Sequence, residues 1–197
     1  MHPGEVDSWE TDYRTGNMPW DCHGVPSALV EYISHAAGPG RVLIPGCGSG
    51  YEVHAFHERG WQVLAVDVTP AAVARARTLL GDLADKVVLA DFFSHDFGGR
   101  RFDLIYERAF LCSMPPTRWT AYARHAAELL TSEGKLVGFF LYGHEDEPPP
   151  YPLTDEAALA VLARNFTRLA DEPVTDSLPV FAGRERWQVW QKKGGAN

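Results

Sequence analysis

The residues best suited to chemistry lie in one short run, Val42-Leu43-Ile44-Pro45-Gly46-Cys47-Gly48-Ser49-Gly50, and in two aspartates further on, Asp67 and Asp91. Glycines between an apolar strand and the helix after it let the backbone approach a ligand lying over the strand's C-terminal end. The same turn could serve only as a tight connection. Its place decides for a ligand loop: it follows the apolar run Arg41–Ile44, precedes a helical stretch, and opens an alternating series of strands and helices. Asp67 closes a second apolar run, where a carboxylate accepts ribose hydroxyls or caps a turn. Asp91 closes a third run and is followed by Phe92, a polar group and an apolar face fit for an adenine, or else a turn with a core phenylalanine.

The spacing of the glycines bears on the ligand. A dinucleotide fingerprint reads G-x-G-x-x-G, with helix-start amides on a pyrophosphate. Here Gly46, Gly48 and Gly50 give G-x-G-x-G, and Tyr51 stands at the dinucleotide position. That spacing is the commoner signature of Rossmann-like methyltransferases that use S-adenosyl-L-methionine (SAM), which seat an amino-acid tail instead. A nicotinamide-dependent oxidoreductase is thereby disfavoured. A non-catalytic SAM-binding regulator stays open, because methyl transfer leaves no unique catalytic residue in a sequence.

The elements that must position these residues read as alternating strands and helices. Helical stretches run from Pro26, from Tyr51 to Arg59, from Pro70 to Leu80, from Thr117 to Leu130, and onward from Thr154; Gly38-Pro39-Gly40 and Gly60 act as stops. Strands are expected at Arg41–Ile44, Trp61–Val66, Val87–Ala90, Phe102–Tyr106, Lys135–Tyr142 and Arg184–Lys193. Glu133-Gly134 reads as a turn, Glu147 to Pro152 as a rigid extended loop, and the first twenty-five residues as irregular, broken by Gly16 and Pro19. The pattern predicts an α/β fold with a largely parallel sheet and helices on both faces, in one domain spanning residues 1–197.

Composition sets the boundaries. A chain of 197 residues with a 45% apolar share hides roughly 70% of its unfolded surface and builds a real core. The net charge of −8, from 26 acidic against 18 basic residues, argues against a phosphate-backbone binder, so no nucleic-acid partner is expected. Cys22, Cys47 and Cys112 are too few and too scattered for a disulfide framework or a metal site, which fits a reduced compartment. The polar N-terminus resembles no export signal, and the apolar stretch Leu136–Tyr142 is far short of the ~20 residues of a membrane span. A cytoplasmic protein acting on a small molecule, monomeric or weakly self-associating, is expected.

Several local patterns together resemble the thiopurine and thiol/halide methyltransferase family. They are W-E-x-x-Y-x-x-G-x-x-P-W-D-x-x-G-x-P from Trp9 to Pro26, the loop V-L-I-P-G-C-G-S-G, Tyr106–Phe110, Glu147–Tyr151 and Gly183–Trp187. The resemblance covers nearly the whole chain. It implies a class I methyltransferase with a seven-stranded, mostly parallel sheet and a cofactor-covering lid over residues 1–25, moving a methyl group from SAM to a thiol or a halide or chalcogen anion. It further implies that Trp9 and Trp20 fold over the cofactor, that Gly46, Cys47 and Gly48 meet its methionine part, and that Asp67 takes the ribose. Asp91 and Phe92 would flank the adenine, and Arg108 would meet the methionine tail or act catalytically on the acceptor. Arg108 is the thiopurine-type residue, whereas Pro19-Trp20-Asp21 and Trp187 look like the thiol/halide branch. Asp21, His23, Tyr142 and His144 are further candidates for taking a proton.

Overall fold

The alternation read from the sequence is realised in a computed structural model that describes residues 3–36 and 38–194. Positions 1 and 2 of the expected lid segment lie outside the described residues. Seven strands form a mostly parallel sheet with helices, in the order β3-β2-β1-β4-β5-β7-β6. The chain divides into two compact units, residues 1–97 and 98–197.

The first unit holds α1 (Pro3–Thr15), α2 (Ser27–His35), β1 (Arg41–Pro45), α3 (Tyr51–Glu58), β2 (Gln62–Asp67), α4 (Pro70–Leu80) and β3 (Val87–Leu89). Its strands pair in parallel, Ile44 opposite Ala65 and Val66 opposite Val88. Val42, Leu43, Ala65 and Val66 are buried, as parallel strands covered by helices require. Pro70 sits in the first turn of α4, where its missing N–H costs nothing. The helix buries Ala72, Val73, Ala76 and Leu80, one stripe at helical spacing.

The second unit holds β4 (Phe102–Arg108), α5 (Trp119–Leu129), β5 (Leu130–Leu141), α6 (Asp155–Leu162), β6 (Phe166–Pro173) and β7 (Glu185–Lys192). β4 and β5 are parallel, whereas β7 runs antiparallel to both β5 and β6. Thr154 caps α6 by accepting the N–H of Ala157 at 3.1 Å. Gly138 in β5 has φ 156°, and a Cβ there would lie 1.7 Å from the carbonyl oxygen of Glu107. Only glycine allows β4 and β5 to run so close at this point.

Three expectations differ from the structure. The N-terminal segment is not irregular: α1 fills Pro3–Thr15, and Gly16 ends it with φ 77°. It lacks a broad apolar stripe because its anchors are two aromatic residues, Trp9 and Tyr13, backed by the Arg14–Glu10 ion pair at 2.7 Å. β5 begins at Leu130, before the expected turn at Glu133-Gly134, because a register shift between Phe102 and Leu104 absorbs the intervening residues. β6 was not expected. Its alternation is broken by a bulge between Arg168 and Ala170, and Leu169 there is 54% exposed.

Candidate active site

In the first unit the turn after β1 is built from left-handed backbone. Gly46, Gly48 and Gly50 have φ of 58°, 53° and 72°, and the N–H of Gly50 closes the turn on the Cys47 carbonyl at 2.9 Å. Gly50 is also the residue from which α3 starts. The Cys47 N–H donates to Val66 O at 3.1 Å, tying the turn to the end of β2. Asp67 makes a second tie: its Oδ2 accepts the Gly48 N–H at 3.0 Å, while Oδ1 accepts the Thr69 N–H at 2.9 Å. Burial pushes the Asp67 carboxyl up, and these donated N–H groups pull it back down. Burial likewise raises the Cys47 thiol, which keeps it protonated and poorly nucleophilic.

The N-terminal segment is fastened to this turn. The Trp9 and Trp20 rings meet edge-on with centroids 4.9 Å apart. Trp20 Nε1–H donates to the Tyr13 hydroxyl at 3.4 Å. That hydroxyl in turn lies 2.5 Å from the position a Cβ would take on Gly48. Glu10 Oε2 accepts the N–H of Ala71 at 2.8 Å, an acid placed against the first turn of α4. Asp21 accepts from Ser49 Oγ at 2.6 Å and stands 3.4 Å from the Arg75 guanidinium, which itself donates through Nε to Ser49 Oγ at 2.9 Å. Asp21 is therefore a clasp between the segment, the glycine turn and α4. Tyr13 was absent from the expected site residues. Its signal was the four-residue spacing from Trp9, visible only once the segment is read as a helix.

Asp91 and Phe92 follow β3. The Ala90 N–H donates to Asp67 O at 2.9 Å, which sets the β3 exit beside that of β2. Asp91 Oδ1 accepts the Phe93 N–H at 2.9 Å, and Phe92 is 2% exposed against the edge of Phe93. The first unit thus gathers Trp9, Trp20, Gly46, Cys47, Gly48 and Asp67, with Asp91 and Phe92 on the neighbouring strand exit.

Arg108 belongs to the second unit, at the end of β4. Its side chain is 10% exposed, its Nε lies 3.9 Å from Glu185 Oε1, and its guanidinium carbon stands 5.3 Å from the centre of the Phe139 ring. Phe139 meets Trp187 edge-on at 5.0 Å. Glu107, next to Arg108, is buried and accepts the N–H groups of Phe110 and Leu111, so its carboxyl group holds the turn after β4. Burial pushes Glu107 up to about 8, against those donated bonds. Ala109 between them takes φ 56°, a conformation costing about 1–2 kcal/mol for a side-chain-bearing residue. Of the remaining proton-acceptor candidates, His144 pairs with Asp146 at 3.0 Å on the surface, and the Tyr142 hydroxyl accepts from Gln188 at 2.8 Å. Among the described residues no cluster of three or more His, Cys, Asp or Glu could hold a metal ion.

Residues 4–193 match the thiopurine S-methyltransferase family. The chain belongs to that family. As a thiopurine S-methyltransferase family member it is a SAM-dependent S-methyltransferase, and SAM is its cofactor. It is 29% identical over 196 residues to thiocyanate methyltransferase 1 of Arabidopsis thaliana, covering 95% of this chain and 86% of that one. With the thiopurine S-methyltransferase of Shewanella pealeana it shares 28% over 199 residues, 90% and 91% of the two chains. Among solved structures it is similar in fold to the Burkholderia thailandensis 1,6-didemethyltoxoflavin-N1-methyltransferase, with TM-score 0.76 at 20% identity over 95% and 87% of the chains. The class I methyltransferase fold that the resemblance implies is thus the fold of this family member. Among its described residues no helix is long and apolar enough to cross a membrane.

A Cβ at Gly48 would meet Tyr13, so the backbone is bare on the side that faces the aromatic segment.

Proposed function

We propose that this family member methylates a small soft nucleophile, a thiol first and a halide or chalcogen anion as the alternative within the same chemistry. The observation that carries this reading is the Gly48–Asp67 bond: a left-handed turn fastened to a carboxylate, with the Tyr13 hydroxyl against Gly48 and Trp20 bonded to that hydroxyl. Backbone of Gly46, Cys47 and Gly48 would hold the methionine part of SAM. Asp67, at the exit of β2, would take the ribose hydroxyls. Trp9 and Trp20 would offer π faces to a sulfonium or an adenine, with Tyr13 beside Trp20. Asp91 and Phe92 would flank the adenine.

SAM supplies an electrophilic methyl group when bound. In-line transfer needs donor and nucleophile within about 3–3.5 Å, so the protein's work is positioning. A free thiol has a pKa near ~8.5, and Arg108 would raise its thiolate fraction by stabilising the anion. The aromatic residues exclude water, which strips the nucleophile of its hydration shell. No strong general base is required.

The family match spans both compact units, which supports reading residues 1–197 as a single methyltransferase domain. The net charge of −8 supports a small-molecule acceptor over nucleic acid. A cytoplasmic, monomeric or weakly associating enzyme completes the reading.

The test follows S-adenosylhomocysteine formation with iodide, hydrosulfide, a small alkyl thiol, an aryl thiol, a mercaptopurine and reduced selenium. Turnover of a thiol is expected. SAM binding without turnover on any of the six would overturn the acceptor assignment.

A further inference from the structure

The second unit buries an ion pair that stability alone does not explain. Arg108 and Glu185 side chains are 10% and 4% exposed. A buried pair is often no better for stability than packed apolar residues of the same volume. Here apolar packing is close at hand, since Phe139 and Trp187 stand against each other beside Arg108. Glu185 is also fixed in place: Ser177 Oγ–H donates to its Oε2 at 2.7 Å, leaving Oε1 toward Arg108 Nε. The other buried acid nearby, Glu107, gives its oxygens to the amides of Phe110 and Leu111. The two acids thus have different tasks. Glu107 holds backbone, whereas Glu185 sets the charge beside Arg108.

An arginine without a carboxylate beside it is a strong receptor for one, because its planar fork matches two oxygens at once. With Glu185 in place, a second carboxylate at Arg108 meets a like charge, the repulsive element by which a site rejects a wrong partner. The aromatic pair favours an apolar or aromatic body instead. We propose that Glu185 is a specificity-determining residue: as counter-ion to Arg108 beside Phe139, it selects aryl or alkyl thiols that lack a carboxylate and rejects acceptors that carry one. This rests on the reading that Arg108 meets the acceptor.

The experiment titrates thiophenol and 4-mercaptobenzoate, separately, into the full chain saturated with S-adenosylhomocysteine. The unaltered protein is expected to bind thiophenol at least about tenfold more tightly. Glu185→Gln keeps the shape and the Ser177 hydrogen bond. It should tighten 4-mercaptobenzoate by about tenfold or more while moving thiophenol by less than about threefold. Adding Arg108→Met to that variant should remove the gain. An unchanged ratio of the two affinities in Glu185→Gln overturns the proposal, as does failure of both thiols to bind the folded proteins. Should Glu185→Gln not fold, Glu185→Asp, which draws the carboxylate back by one methylene, is read for a smaller shift in the same direction.

Turnover separates this from the underlying reading. If Arg108→Met methylates hydrosulfide and thiophenol as well as the unaltered chain, the acceptor role of Arg108 fails. If that variant is impaired and the Glu185→Gln ratio stays put, only the Glu185 proposal fails.

Discussion

The Tyr13 hydroxyl rests against Gly48, 2.5 Å from where a Cβ would be. A side chain at Gly48 must both displace that phenol and hold φ at 53°, a strain of about 1–2 kcal/mol. Gly48→Ala is therefore expected to lower the melting temperature and to weaken SAM binding by about tenfold or more. Tyr13→Phe in the Gly48→Ala background removes the clashing oxygen and should recover part of the stability. Calorimetric titration and thermal melting check this; unchanged values in Gly48→Ala would separate the turn from the cofactor.

Asp67→Ala leaves the N–H groups of Gly48 and Thr69, among other donors, without their acceptor. Each orphaned donor costs about 1–3 kcal/mol when buried. Loss of the carboxylate for the ribose adds to the effect on binding. The expected result is a lower melting temperature together with SAM affinity reduced by about ten- to a hundredfold. A destabilised variant that binds SAM normally would leave Asp67 with the turn alone.

Glu107 gives stability a pH dependence. Its folded value, about 8, stands above the ordinary 4.5. The folded state therefore favours the protonated acid. Its contribution is fully present below pH 4.5 and is lost as pH rises through 8. Each unit is about 1.4 kcal/mol, so a few kcal/mol are involved. Glu107→Gln carries no charge at any pH and should gain on the unaltered chain between those limits. Chemical denaturation at several pH values measures the difference, and parallel pH profiles for the two proteins would contradict the assignment.

Gly138→Ala sets a Cβ 1.7 Å from the Glu107 carbonyl, a backbone atom that cannot swing aside. The strands β4 and β5 would have to separate. A loss above about 4 kcal/mol is expected, visible as poor soluble yield or a collapsed melting temperature. A well-folded Gly138→Ala protein would mean that β5 tolerates a local shift.

Most elements of the first unit were legible because each carries two independent signals. Arg41–Pro45 is apolar and ends in glycines; Pro70–Leu80 opens on proline and repeats small apolar residues at helical spacing. The alternation of Trp187, Val189 and Gln191 against their neighbours made β7 readable as well. The N-terminal helix escaped because its reason to be helical is not local. Tyr13 lies against Gly48, Trp9 packs on Trp20, and Glu10 caps a helix 61 residues away in sequence. β6 escaped for a similar reason, since its pairing with β7 and its bulge are tertiary facts. Within the site, Gly48 and Asp67 could be named from spacing, but not the bond between them. The partner of Arg108 lies 77 positions on, at Glu185, and no spacing rule reaches that far.

The two outermost strands bear on how the protein behaves when crowded with copies of itself. β3 has three residues, too short to recruit a neighbour. β6 is longer, but its bulge at Arg168–Ala170, the charges of Asp171 and Glu172, and Pro173 at its end spoil the row of backbone groups a foreign strand would need. Edges blunted in this way are poor templates for fibril growth. A family member that keeps an open sheet thus remains guarded against strand-by-strand polymerisation at both margins.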